Sequence, residues 1–466
     1  MLIYPLEFKE ELYFIYSRLN RDGYSFCLDS SLVNQELGRF SFVGINPRLV
    51  FRSQGNIIEY MEGGKWEVKQ GNPLEFLNNL IKENIIPAEK LTNYPFPFAG
   101  GLVGYLSYEL KNQIEDRPIL KNNFATTYDQ YWGLYDIFLV EDGISKQKWI
   151  VGNSKREIDS LIKEVGECLV AKVSDEEYTY IGELQSDTDQ SSYIEKIKEV
   201  KEYIRKGDID LINLSQCFSF EIEGSNLNFY KVLRHISPSY YGAFLHFPDH
   251  DIISISPERL IKVIDNIIET RPIKGTRPRG RDEREDRKNR KELEECEKEK
   301  AELLMVVESE CKNLNKISIP ESTVVSDLFN ISEYATIFHL DATITSKLKP
   351  NITYEEILRT IFPGSSIAGI PKIRAMEIIE ELEPTSRGVY TGSIGYIDFR
   401  GNCDLNVAIR TAVIKDGMGY YQAGGGLTID SDPEFEYQET WDKTKSLILA
   451  REEVNRYAQH IFRDKT

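Results

Sequence analysis

Two apolar stretches, residues 252–264 and 267–276, flank the dipeptide Asp265-Asn266. Asp and Asn tolerate the left-handed backbone that a two-residue turn requires, so these stretches are expected to form an antiparallel hairpin. With that turn, Ile264 opposes Ile267 and Glu258 opposes Ile273. Lys274 is one step further on, and an ideal ladder would send it and Glu258 to opposite faces. Pro257 and Pro272 can each disturb that ladder, because proline donates no hydrogen bond to it. The hairpin thus brings a carboxyl and an amine within reach but leaves open whether they share a face.

Lys274 lies within Arg271-Pro272-Ile273-Lys274-Gly275-Thr276-Arg277-Pro278-Arg279-Gly280. Cations near a shielded amine favour its neutral form, which is a nucleophile. Taken alone, the run also reads as a basic turn that binds any anion. The chain as a whole has 57 basic and 75 acidic residues and a net charge of -18. That balance argues against nucleic acid and against an anionic membrane surface as partners. The basic run is a local exception, and a small, multiply negative ligand is its simplest partner.

A chain of 466 residues can bury a large core and form two or three domains. Its first residues carry acidic groups and no long apolar run, unlike a secretory signal. No stretch approaches the roughly 20 apolar residues of a membrane span. The six cysteines are scattered, with no CxxC pair, and the five histidines lack ligand spacing. A reducing, cytoplasmic setting is expected.

Residues 1–181 read as a mixed N-terminal lobe, with strands near 38–44 and 128–140. The polar segment 182–191 is the expected boundary, and 192–460 the second domain. A helix is expected over 192–206, ending at Gly207, and then a strand with one buried face from the parity of Ile212, Leu214, Phe218, Phe220 and Ile222. Residues 282–316 read as one long helix that presents Glu302 where its apolar part begins. The segment Phe362 to Lys372 is rich in small residues and leads into a helix over 373–382. Such a helix entry can cradle an anion, although the segment lacks the Gly-Lys-Ser/Thr ending of a phosphate loop. Asp432 and Pro433 begin the final helix cleanly. On it Glu436 and Glu439 share a face, and Lys443 is four residues beyond Glu439. These charges read as an ordinary surface pair or as carboxylates for a hard divalent cation.

Six segments carry a resemblance: Ser256-Pro257-Glu258-Arg259, residues 272–279, Pro371-Lys372-Ile373-Arg374-Ala375-Met376, Gly392-Ser393-Ile394-Gly395-Tyr396, Asn406 to Thr411, and Asp430 to Thr440. Together they resemble the chorismate-using enzymes: anthranilate synthase component I, aminodeoxychorismate synthase component I, and the isochorismate and salicylate synthases. The resemblance implies an α+β fold in which two antiparallel sheets pack face to face with helices outside. The pattern with lysine at position 274 is similar to the aminodeoxychorismate branch, whereas anthranilate synthases usually carry alanine or glycine there. The isochorismate group is expected to have a water-activating lysine near position 211, where this chain has Leu211.

The resemblance further implies that chorismate and ammonia give 4-amino-4-deoxychorismate, the precursor of 4-aminobenzoate and folate. Lys274 would be the nucleophile and Glu258 the general acid. Glu302, Glu436 and Glu439 would hold Mg²⁺. His339, Tyr396, Arg410, Lys443 and the backbone N–H groups of Gly425 and Gly426 would contact the substrate. Ammonia would come from a separate glutamine amidotransferase, since no paired cysteine and histidine is visible. Other readings are anthranilate synthase or another chorismate-aminating enzyme, and a non-catalytic scaffold. The chain departs from the family pattern at Cys311, Asp341, Ala342, Ser365 and Ala368, and the altered segments at Cys311 and Ala368 motivate the scaffold reading. Relatives can also hold tryptophan near residues 28–31.

Overall fold

A computed structural model describes residues 1–19, 23–115, 128–170, 178–334 and 337–464. Among these residues a 13-stranded and a 12-stranded sheet, antiparallel throughout, form the centre, and helices flank them. Residue alternation explains the layering. Phe26, Phe42, Phe138, Ile252 and Val413 of the larger sheet pack with Val50, Val103, Tyr131 and Ile394 of the smaller one. Their sequence neighbours Cys27, Val43, Leu139, Ile253 and Ile414 turn the other way, onto outer helices such as Lys445–Asp464. On the smaller sheet Phe51, Leu102 and Trp132 likewise face an outer helical layer. Successive residues enter different cores, so the strands read as continuous apolar runs.

This four-layer arrangement corrects one expectation. Leu211–Gly224 is a strand, but its first eight residues are buried on both faces, not on one. The 182–191 segment divides the chain in sequence, yet each sheet draws strands from both sides of it. Strands Ser25–Asp29 and Tyr241–Phe247 pair directly, as do Gly101–Leu106 and Ser393–Asp398.

Several local expectations hold. Asp265 and Asn266 have φ of +50° and +64°, and Ile264 pairs with Ile267. Helix Gln190–Arg205 precedes Gly207, which has φ +78°. The Asp432 side chain accepts from the N–H groups of Glu434 and Phe435 at the start of helix Pro433–Lys443. The long charged helix is in fact two, Glu283–Glu294, capped by the Asp282 side chain, and Glu297–Ile317, which begins after Cys296 without a side-chain cap. Among the described residues no helix is long and apolar enough to cross a membrane.

Candidate active site

The hairpin delivers Glu258 and Lys274 to one pocket because its ladder is broken twice. Pairing shifts between Arg259 and Lys262, so that Arg259 opposes Arg271. After Pro272 the chain leaves this partner, and Ile273–Pro278 pairs with Ile337–Lys347 instead. Gly275, at φ +68°, adds a second shift that sets Lys274 against Leu340 and Thr276 against His339.

Ser366 joins the two groups. Its hydroxyl donates to Glu258 Oε1 at 2.7 Å, and its carbonyl accepts from Lys274 Nζ at 3.2 Å. Both side chains are buried, Glu258 at 3% and Lys274 at 9% exposure. Burial pushes the Glu258 carboxyl up to about 7, against the opposing pull of Ser366 and of the Lys274 charge. A carboxyl so placed keeps its proton near neutrality, as a general acid needs.

The neighbours of Lys274 are carboxylates and not the arginines of its own run. Arg271 pairs with Asp341 at 3.6 Å, Arg277 with Glu299 at 3.3 Å and Arg279 with Asp286 at 2.7 Å. The Asp341 departure thus has a structural explanation: it neutralises Arg271 and accepts from Ser332 and Asn330. Ala368 is fully buried in the core, and its carbonyl accepts from the Asn213 N–H.

The Met418–Leu427 strand supplies the floor. A Cβ on Gly426 would lie 2.9 Å from Lys274 Nζ and 3.6 Å from Glu302 Oε2. A Cβ on Gly425 would lie 3.2 Å from Glu436 Oε2 and 3.4 Å from Glu439 Oε2. The amine and three glutamates from two helices therefore meet over two residues without side chains. Gly426→Ala should displace the amine while leaving the fold intact, because the clash falls on the end of a flexible side chain. We expect kcat to fall about 10- to 100-fold with little change in Tm; steady-state kinetics and a thermal melt check this.

Burial raises the Glu302 carboxyl, with Lys274 opposing. Burial and the Glu439 charge push Glu436 up to about 7, while Glu439, despite burial, is held low by Lys443. Lys298 Nζ sits 3.9 Å from Glu302 and 3.2 Å from Glu436. Glu436 Oε2 is buried with no hydrogen-bond partner among the described residues. Among those residues no three His, Cys, Asp or Glu side chains converge into a ready-made metal site. The donors are all oxygens, the type a hard cation takes, and the Lys298 ammonium lies between two of them.

His339, Arg410 and Lys443 form the far wall. His339 Nδ1 lies 2.9 Å from Thr276 Oγ1, and its buried Nε2 has no partner among the described residues. Burial, with Arg410 and Lys443 adding, lowers this imidazole to about 3, so it is neutral. Arg410 takes a φ of +50° and lies near Tyr334 and Tyr421. Among the described residues no carboxylate pairs with it, which leaves its fork open to an anion. Lys443 bonds Glu439 at 2.9 Å and the Gly424 carbonyl at 2.8 Å.

Tyr396 does not belong to this group. It packs against Phe42 and Phe98 and lines a separate cavity of about 210 Å³ with Leu28, Asp29 and Ser30. Strand alternation turns it toward the inter-sheet core. Sequence reasoning missed Ser366, which does not stand out by charge or spacing.

Residues 23–449 match the family of chorismate binding enzymes. Anthranilate synthase component 1 of Aquifex aeolicus is 34% identical, over 94% of this chain and 91% of that protein. Aminodeoxychorismate synthase component 1 of Bacillus subtilis is 33% identical, over 90% of this chain and 91% of its own length. The crystal structure of anthranilate synthase component I from Streptococcus pneumoniae superposes with a TM-score of 0.78 at 29% identity, covering 89% of this chain and 93% of that one. With a family match over residues 23–449 and relatives above 30% identity along nearly its whole length, the chain belongs to the family of chorismate binding enzymes and is a chorismate-utilising enzyme of the group that includes the anthranilate, aminodeoxychorismate and isochorismate synthases.

Proposed function

We propose that the chain is the synthase subunit that converts chorismate and ammonia to 4-amino-4-deoxychorismate through a covalent Lys274 adduct. The carrying observation is Ser366, which binds Glu258 Oε1 and Lys274 Nζ at once and holds acid and nucleophile in one pocket. Relatives of both names match at nearly equal identity, so Lys274 is what separates the two readings.

In this scheme Lys274 Nζ, as the neutral amine, attacks C2 of chorismate as the two conjugated ring double bonds shift and the C4–O bond breaks. Glu258 passes its proton to the departing oxygen, which leaves as water. Ammonia then adds at C4, the double bonds return, and the C2–N bond breaks to release Lys274. Splitting the displacement in two lowers each barrier. Arg410 and Lys443 provide the cations for the substrate's carboxylates, and neutral His339 faces the ring. Glu302, Glu436 and Glu439 would hold Mg²⁺, with the unpartnered Glu436 Oε2 as one donor; when bound, the ion withdraws electron density through the ring carboxylate. Ammonia is taken to come from a glutamine amidotransferase partner.

The test is to incubate purified protein with chorismate, ammonium and Mg²⁺ and to analyse the products by mass spectrometry. 4-Amino-4-deoxychorismate, with a chorismate-derived mass on the Lys274 peptide after quenching, is expected. Anthranilate as the product would replace this reading with the anthranilate synthase one. No product at all would favour a scaffold.

A further inference from the structure

Ser366 sits between two anchored residues. Arg387 Nη1 donates to the Ile367 carbonyl at 2.8 Å. On the other side the Ser365 N–H donates to Glu310 Oε1 at 2.8 Å, and the Ser309 and Ser365 hydroxyls lie 3.0 Å apart. Lys372 fixes the start of the segment through the carbonyls of Thr360, Ile361 and Pro363, at 3.1–3.2 Å. Glu310 is 3% exposed, and its Oε2 is buried with no partner among the described residues. A buried carboxylate on the apolar side of a helix is kept only where it holds something. Glu310 lies two turns beyond Glu302 on the same helix, Glu297–Ile317.

We propose that Glu310 is a positioning residue: by accepting the Ser365 N–H it sets Ser366, and through Ser366 it sets the separation of the Glu258 carboxyl from the Lys274 amine. This rests on the roles given to Lys274 and Glu258 above. The helix that presents Glu302 to the amine thereby also fixes the loop that holds the acid, so both parts of the site share one rigid element. Glu310 makes no hydrogen bond to Glu258 or Lys274; its charge adds, as a lesser cause, to the rise of the Glu258 carboxyl, and its positioning effect passes through the backbone of Ser365.

The test compares Glu310→Gln, which keeps an acceptor oxygen, with Glu310→Met, which fills similar volume without one. Two quantities are read: kcat and KM for chorismate with ammonium and Mg²⁺, and the rate at which acetic anhydride modifies Lys274 relative to exposed lysines. For Glu310→Met we expect kcat to fall about 10- to 100-fold with KM within about threefold, and Lys274 to be modified at least about threefold faster. Glu310→Gln should stay within about threefold of the parent in both. Parental kcat in the Met variant, a loss carried by KM, or equal losses in both variants would overturn the proposal. Should Glu310→Met not fold, Glu310→Ala is read by the same criteria. If the parent makes no aminated product, the functional reading fails and the modification rates alone decide: unchanged Lys274 reactivity then overturns the positioning role.

Discussion

Lys274→Ala should slow formation of the aminated product by at least about a thousandfold, roughly 4 kcal/mol in the barrier. The side chain is buried, bonded to the Ser366 carbonyl and packed against the Gly426 floor, so among the described residues no other amine stands in its place. Lys298 is engaged by Glu302 and Glu436, and Lys443 by Glu439 and the Gly424 carbonyl. Single-turnover kinetics with ammonium and Mg²⁺ measure the loss, and mass analysis of the quenched protein should find the adduct in the parent alone. Turnover within about threefold of the parent would refute covalent participation. Circular dichroism separates this from unfolding.

Glu258→Gln should remove two things at once. A glutamine cannot protonate the departing oxygen, and activity should fall about 10²- to 10⁴-fold. In the parent, the acid must hold its proton, so kcat/KM should decline above about pH 7, where this carboxyl titrates. The variant's residual rate should lack that alkaline limb. Stability should move the other way. The Glu258 carboxyl titrates near 7 in the fold and at about 4.3 in an unfolded chain. Its stabilising share is complete below about pH 4 and is lost as pH rises through 7, because the fold disfavours the ionised form. Glutamine never ionises, so the variant should be the more stable protein at pH 8, by about 1–3 kcal/mol, with the gap closing toward pH 5. Denaturant melts at the two pH values measure this. A variant equally destabilised at both would show that the buried carboxylate is not disfavoured.

The expected final helix is two, Pro433–Lys443 and Lys445–Asp464, and much of the first could be read in advance. Asp432 caps it and Pro433 suits its first turn, so the face carrying Glu436 and Glu439 followed from helical spacing alone. The Asp265-Asn266 turn was equally local, since both residues tolerate positive φ. Beyond about ten residues that logic lapsed. The ladder slip at Arg259 and the bulge at Gly275 depend on partner strands, and they decide where Glu258 and Lys274 point. The arginines beside Lys274 looked like its neighbours in sequence, but Asp341, Glu299 and Asp286 claim them. Tyr396 followed the period of its strand into the wrong cavity for its expected role.

What the linear order of residues settled by itself was the inventory: one lysine in a basic run, an acid upstream, helical glutamates and the small residues of a glycine-rich strand. Caps, turns and helical periods arise from interactions within a few residues, so they are written locally. Only the folded chain brought Ser366 to both Lys274 and Glu258, across 92 and 108 residues. That choice belongs to packing: with both sheets covered on two faces, alternation no longer marks an inside and an outside. Which buried groups meet is then set by how the layers close over one another.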